Sequence, residues 1–111
     1  DETNWTDPTD TDRINIALYH GAVNNSRTDL GWIMDHGDHD VSVFDKFDYA
    51  FLGDIHKTNQ CLNDTGTIRY CGSTIQQNHG ETNDKGFLIW DIEVFLEKLH
   101  ILNRGVLRLL V

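Results

Sequence analysis

The sequence predicts a small, strand-rich α/β (α+β) domain with few short helices, and three observations carry that prediction. Apolar runs at residues 14–19, 49–52 and 86–92 stop abruptly at glycine or polar residues, as buried strands do. Asn63-Asp64-Thr65-Gly66 is a turn between residues 60–62 and 67–70, which predicts a β-hairpin. Most of the remainder is polar loop with turn-forming residues. At 111 residues and 39% hydrophobic composition, the chain has material for one modest core, which excludes wholesale disorder. No apolar stretch approaches the length of a membrane span, and residues 1–4 show no secretory pattern.

The elements follow in order. Residues 1–12 are polar, hold the only proline and read as a linker or surface loop, with Trp5 as a docking exception. Residues 13–92 form the body. The first strand ends at His20-Gly21. Residues 21–40 read as loop, with Leu30, Trp32, Ile33 and Met34 expected to pack on the strands. Ser42 is expected to cap a short helix that turns Val43, Phe44 and Phe47 inward. The second strand is stopped by Gly53-Asp54, the hairpin follows, and residues 72–85 are loop before the third strand. In residues 93–111, helical spacing competes with period-two alternation. Two closing strands with a turn are the preferred reading, with the start of a following module as the alternative. Trp32, Phe44, Phe47, Phe51, Phe87 and Trp90 read as core. Cys61 and Cys71 fall out of register if Leu62 faces Thr67, so two free thiols and a cytoplasmic setting are expected.

Net charge is −9, but five of the eighteen acids precede Arg13, which leaves 13 acids against 9 bases in the body. No basic stripe exists to grip nucleic acid unaided. Phosphate chemistry here would need metal ions or a partner that holds the substrate.

Chemistry-bearing residues sit at strand ends: His20-Gly21, Gly53-Asp54-Ile55-His56 and Tyr70-Cys71-Gly72-Ser73. In layered α/β proteins, ligands bind beyond the carboxyl ends of strands. Asp54 and His56, two residues apart, can reach adjacent ligand positions where the backbone turns, and Gly53 is the residue expected to permit that turn. His36 and His100 have no partner at ligand spacing.

Together with Asp48-Tyr49, Glu81 and Lys85-Gly86, these motifs resemble the last third of a calcineurin-like metallophosphoesterase domain. Within that family they are most similar to SbcD-type DNA repair exonucleases, including phage and viral relatives. The resemblance spans roughly residues 14–92. Its pattern has Gly-His-x-His where Asp54 replaces the first His, and Tyr-Pro-Gly-Ser where Cys71 replaces proline. Carboxylate oxygen is a legitimate ligand for manganese, magnesium or iron.

The resemblance implies the C-terminal portion of a four-layer α-β-β-α sandwich, with two divalent metal ions, manganese foremost, in the longer protein. It implies His20, Asp54 and His56 as metal ligands, and Gly21, Gly53 and Gly72 as structural turns. Lys57, His79 and Glu81 are candidate contacts to substrate phosphate, against a plain loop role. The implied activity is hydrolysis of DNA phosphodiesters by metal-activated water, with an SbcC-type ATPase as partner. The family's upstream Asp-x-His, Gly-Asp-x-x-Asp and Gly-Asn-His segments do not occur here, and Gly37-Asp38-His39-Asp40 sits in the wrong order to replace one. The chain therefore reads as a C-terminal fragment, inactive by itself, whose open sheet face favours aggregation or a homodimer. The alternatives are a phosphomonoesterase or nucleotide phosphodiesterase of the same fold, or a non-catalytic truncated domain.

Overall fold

The structure, a computed structural model, describes residues 5–92 and the backbone of residues 108–110. The main sheet has four strands in the order β1-β2-β4-β3: β1 (Ile16–His20), β2 (Tyr49–Gly53), β3 (Gln60–Cys61) and β4 (Ile68–Tyr70). β1, β2 and β4 run parallel, while β3 and β4 form the antiparallel hairpin expected around Asn63–Gly66. Among the described residues, the only helical element is a single 3-10 turn, Val41–Phe44. A second, two-stranded antiparallel sheet pairs β5 (Phe87–Ile89) with β6 (Arg108–Leu110). The fold is thus a strand-rich domain with a mixed sheet and almost no helix.

Strand alternation divides the main sheet into two unlike faces. Ala17 and Tyr19 of β1 share a face with Ala50 and Leu52 of β2 and with Ile68 and Tyr70 of β4, following the registers Ala17↔Ala50, Ala50↔Ile68 and Leu52↔Tyr70. That face is the core. The crossover from β1 to β2 covers it with Val23 and Phe44, and Ile55 joins from beyond β2. Trp5 docks there too, its ring centroid 5.4 Å from Phe44 and 5.5 Å from Tyr19. On the opposite face, Ile16 and Leu18 are exposed, Leu18 by 79%. Trp90 covers part of that face, stacking on Phe51 at 4.5 Å and meeting Tyr49 edge-on at 5.7 Å.

Several expectations need correction. Asp40, not Ser42, holds the N-cap position of the 3-10 turn: it is extended (φ −78°, ψ 152°) and makes no side-chain capping bond, so the turn begins two residues early and Ser42 lies inside it. Of the apolar patch in the crossover, only Met34 packs on the core. Trp32 is 72% exposed, with Leu30 and Ile33 also outward. Their loop closes on itself, through the Arg27↔Ile33 bridge and the bond from Thr28 N–H to the Trp32 carbonyl at 2.9 Å, and Gln60 of β3 holds it by the Arg27 backbone, so the three apolar side chains are left outside the core. Phe87 is 51% exposed because β5 stands in a two-stranded sheet, outside the main one. Leu62 N–H bonds to Ile68, not Thr67, at 2.9 Å. Cys61 and Cys71 are free, exposed thiols. Of the two strands expected in the tail, β6 is seen, while the first strand and its turn fall at residues outside those described. No helix among the described residues is long and apolar enough to cross a membrane.

Candidate functional site

The site is assembled where β1, β2 and β4 end side by side. Tyr70, fully buried at the end of β4, reaches across with its hydroxyl. It donates to the Gly21 carbonyl at 2.7 Å and accepts from Val23 N–H at 2.9 Å. Burial pushes its phenol up to about 12, so it remains a donor at any physiological pH. Gly21 N–H bonds to the Gly53 carbonyl at 3.2 Å, which keeps the ends of β1 and β2 in register. The segment carrying His20 is therefore fixed by two neighbours.

His20 pairs with Gly53 across the sheet, and its imidazole lies over that glycine: a Cβ at position 53 would come within 3.0 Å of His20 Cδ2. A side chain at position 53 would thus push the His20 ring aside. The left-handed backbone falls instead on Asp54, at φ +99°, which corrects the assignment of the turn to Gly53. A non-glycine residue held there stores strain of about 1–3 kcal/mol. Gly72, at φ +83°, lets the exit from β4 press against the next loop. Its Cβ would stand 2.8 Å from Thr58 Cα and 3.1 Å from the His56 carbonyl oxygen.

Beyond Asp54 the chain presents His56, whose side chain is 38% exposed. Asp54 and His56 line one cleft of about 250 Å³, together with Thr28, Leu30 and Asn78. His56 Nδ1 lies 2.7 Å from Glu81 Oε1. Glu81, only 3% exposed at its side chain, also accepts from Gln77 N–H at 2.9 Å and Asn78 Nδ2 at 3.0 Å, with Lys85 Nζ 3.4 Å away. The Gln77 amide above all, then His56 and Lys85, hold its carboxyl at about 2, against the opposing effect of burial. Lys85 Nζ in turn binds Asp29 Oδ2 at 2.5 Å and the His56 carbonyl at 2.8 Å. Burial acts to lower the Lys85 pKa, but Asp29 and Glu81 together overcome it and raise the value.

The structure therefore groups His20 with Gly53-Asp54 at the sheet end, and Asp54 with His56 in the cleft. Glu81 sits beneath His56. His79 is exposed in the same loop, and Lys57 is half-buried beside His56. Asp29 and Lys85 form the part that sequence reasoning missed as site residues. Lys85 was visible only as half of the Lys85-Gly86 motif. Asp29 carries no local signal, since its partner stands 56 residues away.

A divalent ion is suited by the donor chemistry of Asp54 and His56. Among the described residues, however, no group of three or more His, Cys, Asp or Glu side chains is placed to hold an ion by itself. Asp54 and His56 do not by themselves make a metal shell.

An uncharacterized protein of Acanthamoeba polyphaga mimivirus, R555, is 39% identical over 89 residues, covering 79% of this chain. The chain spans only 6% of that relative's length. No family model and no solved structure matches the chain.

Proposed function

We propose that this chain is the C-terminal part of a metal-dependent phosphodiesterase of the SbcD type, within a longer protein that supplies the remaining metal ligands. One observation carries the reading. The three motifs behind the resemblance, ending in His20, in Gly53-Asp54-Ile55-His56 and in Tyr70-Cys71-Gly72-Ser73, leave three adjacent parallel strands on one side of the sheet. That is where an α/β layer binds ligands. The length of the mimivirus relative leaves room for an upstream half on one chain. The four-layer sandwich belongs to this proposal. Its second sheet would extend the cover that Trp90 begins over Phe51, and the exposed Ile16 and Leu18 are the apolar positions it would bury.

In this reading His20, Asp54 and His56 hold one side of a two-metal centre, with manganese foremost. Bound there, the ions would activate water and stabilise the oxygens of an in-line displacement at phosphorus. The chain's own task is to hold those three donors at rigid strand ends. Lys57 and His79 remain candidates for contact with a DNA phosphate. Glu81 is too enclosed for that role, since its carboxylate is occupied by His56, Gln77, Asn78 and Lys85. The acidic balance, with no basic stripe in the sequence, agrees with an ATPase partner that clamps the DNA.

The test is manganese-dependent hydrolysis of bis-p-nitrophenyl phosphate, against the monoester, by the longer protein and its His56→Ala variant. Diester preference that His56→Ala removes supports the reading. Wild-type turnover by the variant refutes the ligand assignment, and monoester preference moves the protein to the phosphomonoesterase branch.

A further inference from the structure

We infer that Glu81 is a positioning residue that sets the tautomer of His56, and that Asp29 and Lys85 hold Glu81 and His56 together from below. The polar neighbours of the Glu81 carboxylate beside the imidazole are donors: Gln77 N–H and Lys85 Nζ on Oε2, and Asn78 Nδ2 on Oε1. An ionised carboxylate only accepts. His56 Nδ1, 2.7 Å from Oε1, must therefore carry the proton and donate it. In the neutral ring this leaves the lone pair on Nε2, the form in which a histidine can ligate a cation or accept a proton.

The second half of the device is mechanical. Lys85 Nζ bonds the His56 carbonyl at 2.8 Å while lying 3.4 Å from Glu81 Oε2. The same ammonium thus restrains the backbone of His56 and the group that orients its ring. Asp29 balances the charge, and the side chains of Asp29 and Lys85 are each 4% exposed. A buried ammonium is retained only when paired and hydrogen-bonded, and two carboxylates with a carbonyl meet that need. The crossover loop, through Asp29, is in this way tied to the orientation of a ring on a different segment.

This inference deepens the reading of His56 as a metal-facing residue and rests on it for its purpose, but its test needs no metal. Glu81→Gln gives an unusual outcome. The amide oxygen must stay toward Gln77 N–H and Lys85, so the NH2 group takes the place of Oε1 and faces His56 Nδ1, while the exposed Asn78 amide, which donated to Oε1, turns away. That nitrogen must then accept, which moves the ring proton to Nε2.

The experiment is long-range 1H–15N correlation NMR on the 15N-labelled chain, at alkaline pH where imidazole is neutral. The wild-type His56 is expected in the Nδ1–H form by at least about tenfold, as a charge-assisted hydrogen bond gives. Glu81→Gln is expected to invert that ratio, whereas Asn78→Ala, which removes a neighbour of Oε1 without replacing the carboxylate, keeps it. A wild-type ring dominated by Nε2–H overturns the inference even if the variant fails to fold, and so does an unchanged ratio in folded Glu81→Gln. Failure of the metal reading looks different. The Nδ1–H form would then persist in this chain while His56→Ala leaves turnover intact in the longer protein.

Discussion

Replacing Tyr70 by phenylalanine removes one oxygen and tests how the strand end that bears His20 is held. The change conserves ring volume, so the consequence is confined to two hydrogen bonds, to the Gly21 carbonyl at 2.7 Å and from Val23 N–H at 2.9 Å. Val23 is 0% exposed, so its orphaned N–H finds no water and carries the desolvation cost of about 1–3 kcal/mol. Gly21 is half-buried, its carbonyl can be rehydrated, and the loss there is nearer about 0.5–1 kcal/mol. The sum is about 1.5–4 kcal/mol. For a domain of this size that lowers the melting temperature by roughly 6–30 °C. Urea denaturation followed by tryptophan fluorescence gives the difference directly, and amide hydrogen exchange at Val23 should accelerate more than at Leu52, which keeps its strand partners. A Tyr70→Phe variant within about 0.5 kcal/mol of wild type would show that the phenol does not clamp β1 and its turn to β4.

Two further outcomes follow from strain and from charge. Asp54→Gly relieves a left-handed backbone, and after the extra chain entropy glycine loses on folding it should stabilise the chain by about 0.5–1 kcal/mol while removing diesterase activity from the longer protein. A higher urea midpoint with lost turnover is the expected pair, and a lower midpoint would mean the Asp54 carboxylate holds structure. Glu81, with its folded pKa depressed to about 2, contributes stability that is complete above about pH 4.5 and is lost as pH falls through that window, because the unfolded chain binds the proton first. Denaturation midpoints measured from neutral pH down toward pH 2 should fall more steeply for wild type than for Glu81→Gln, and parallel curves would exclude this carboxylate as the cause.

Two central strands and the hairpin were legible in the sequence, while the third apolar run, 86–92, forms a strand only over Phe87–Ile89. Apolar runs bounded by glycine define β1 and β2, and the Asn63–Gly66 turn defines the hairpin, because burial and turn geometry act over a few neighbouring residues. The sequence also placed His20, Asp54 and His56 at strand ends. Tertiary structure decided which groups those residues meet. Which sheet face is covered depends on where the crossover lies, so Leu18 and Trp32, as apolar as Leu52 and Phe44, end up in solvent. Glu81 read as a loop carboxylate, with substrate contact as a candidate role, yet it is enclosed under His56, and Asp29 gave no sign of its bond to Lys85. Such pairings carry no local pattern, since their energy exists only once distant segments exclude water from the same spot.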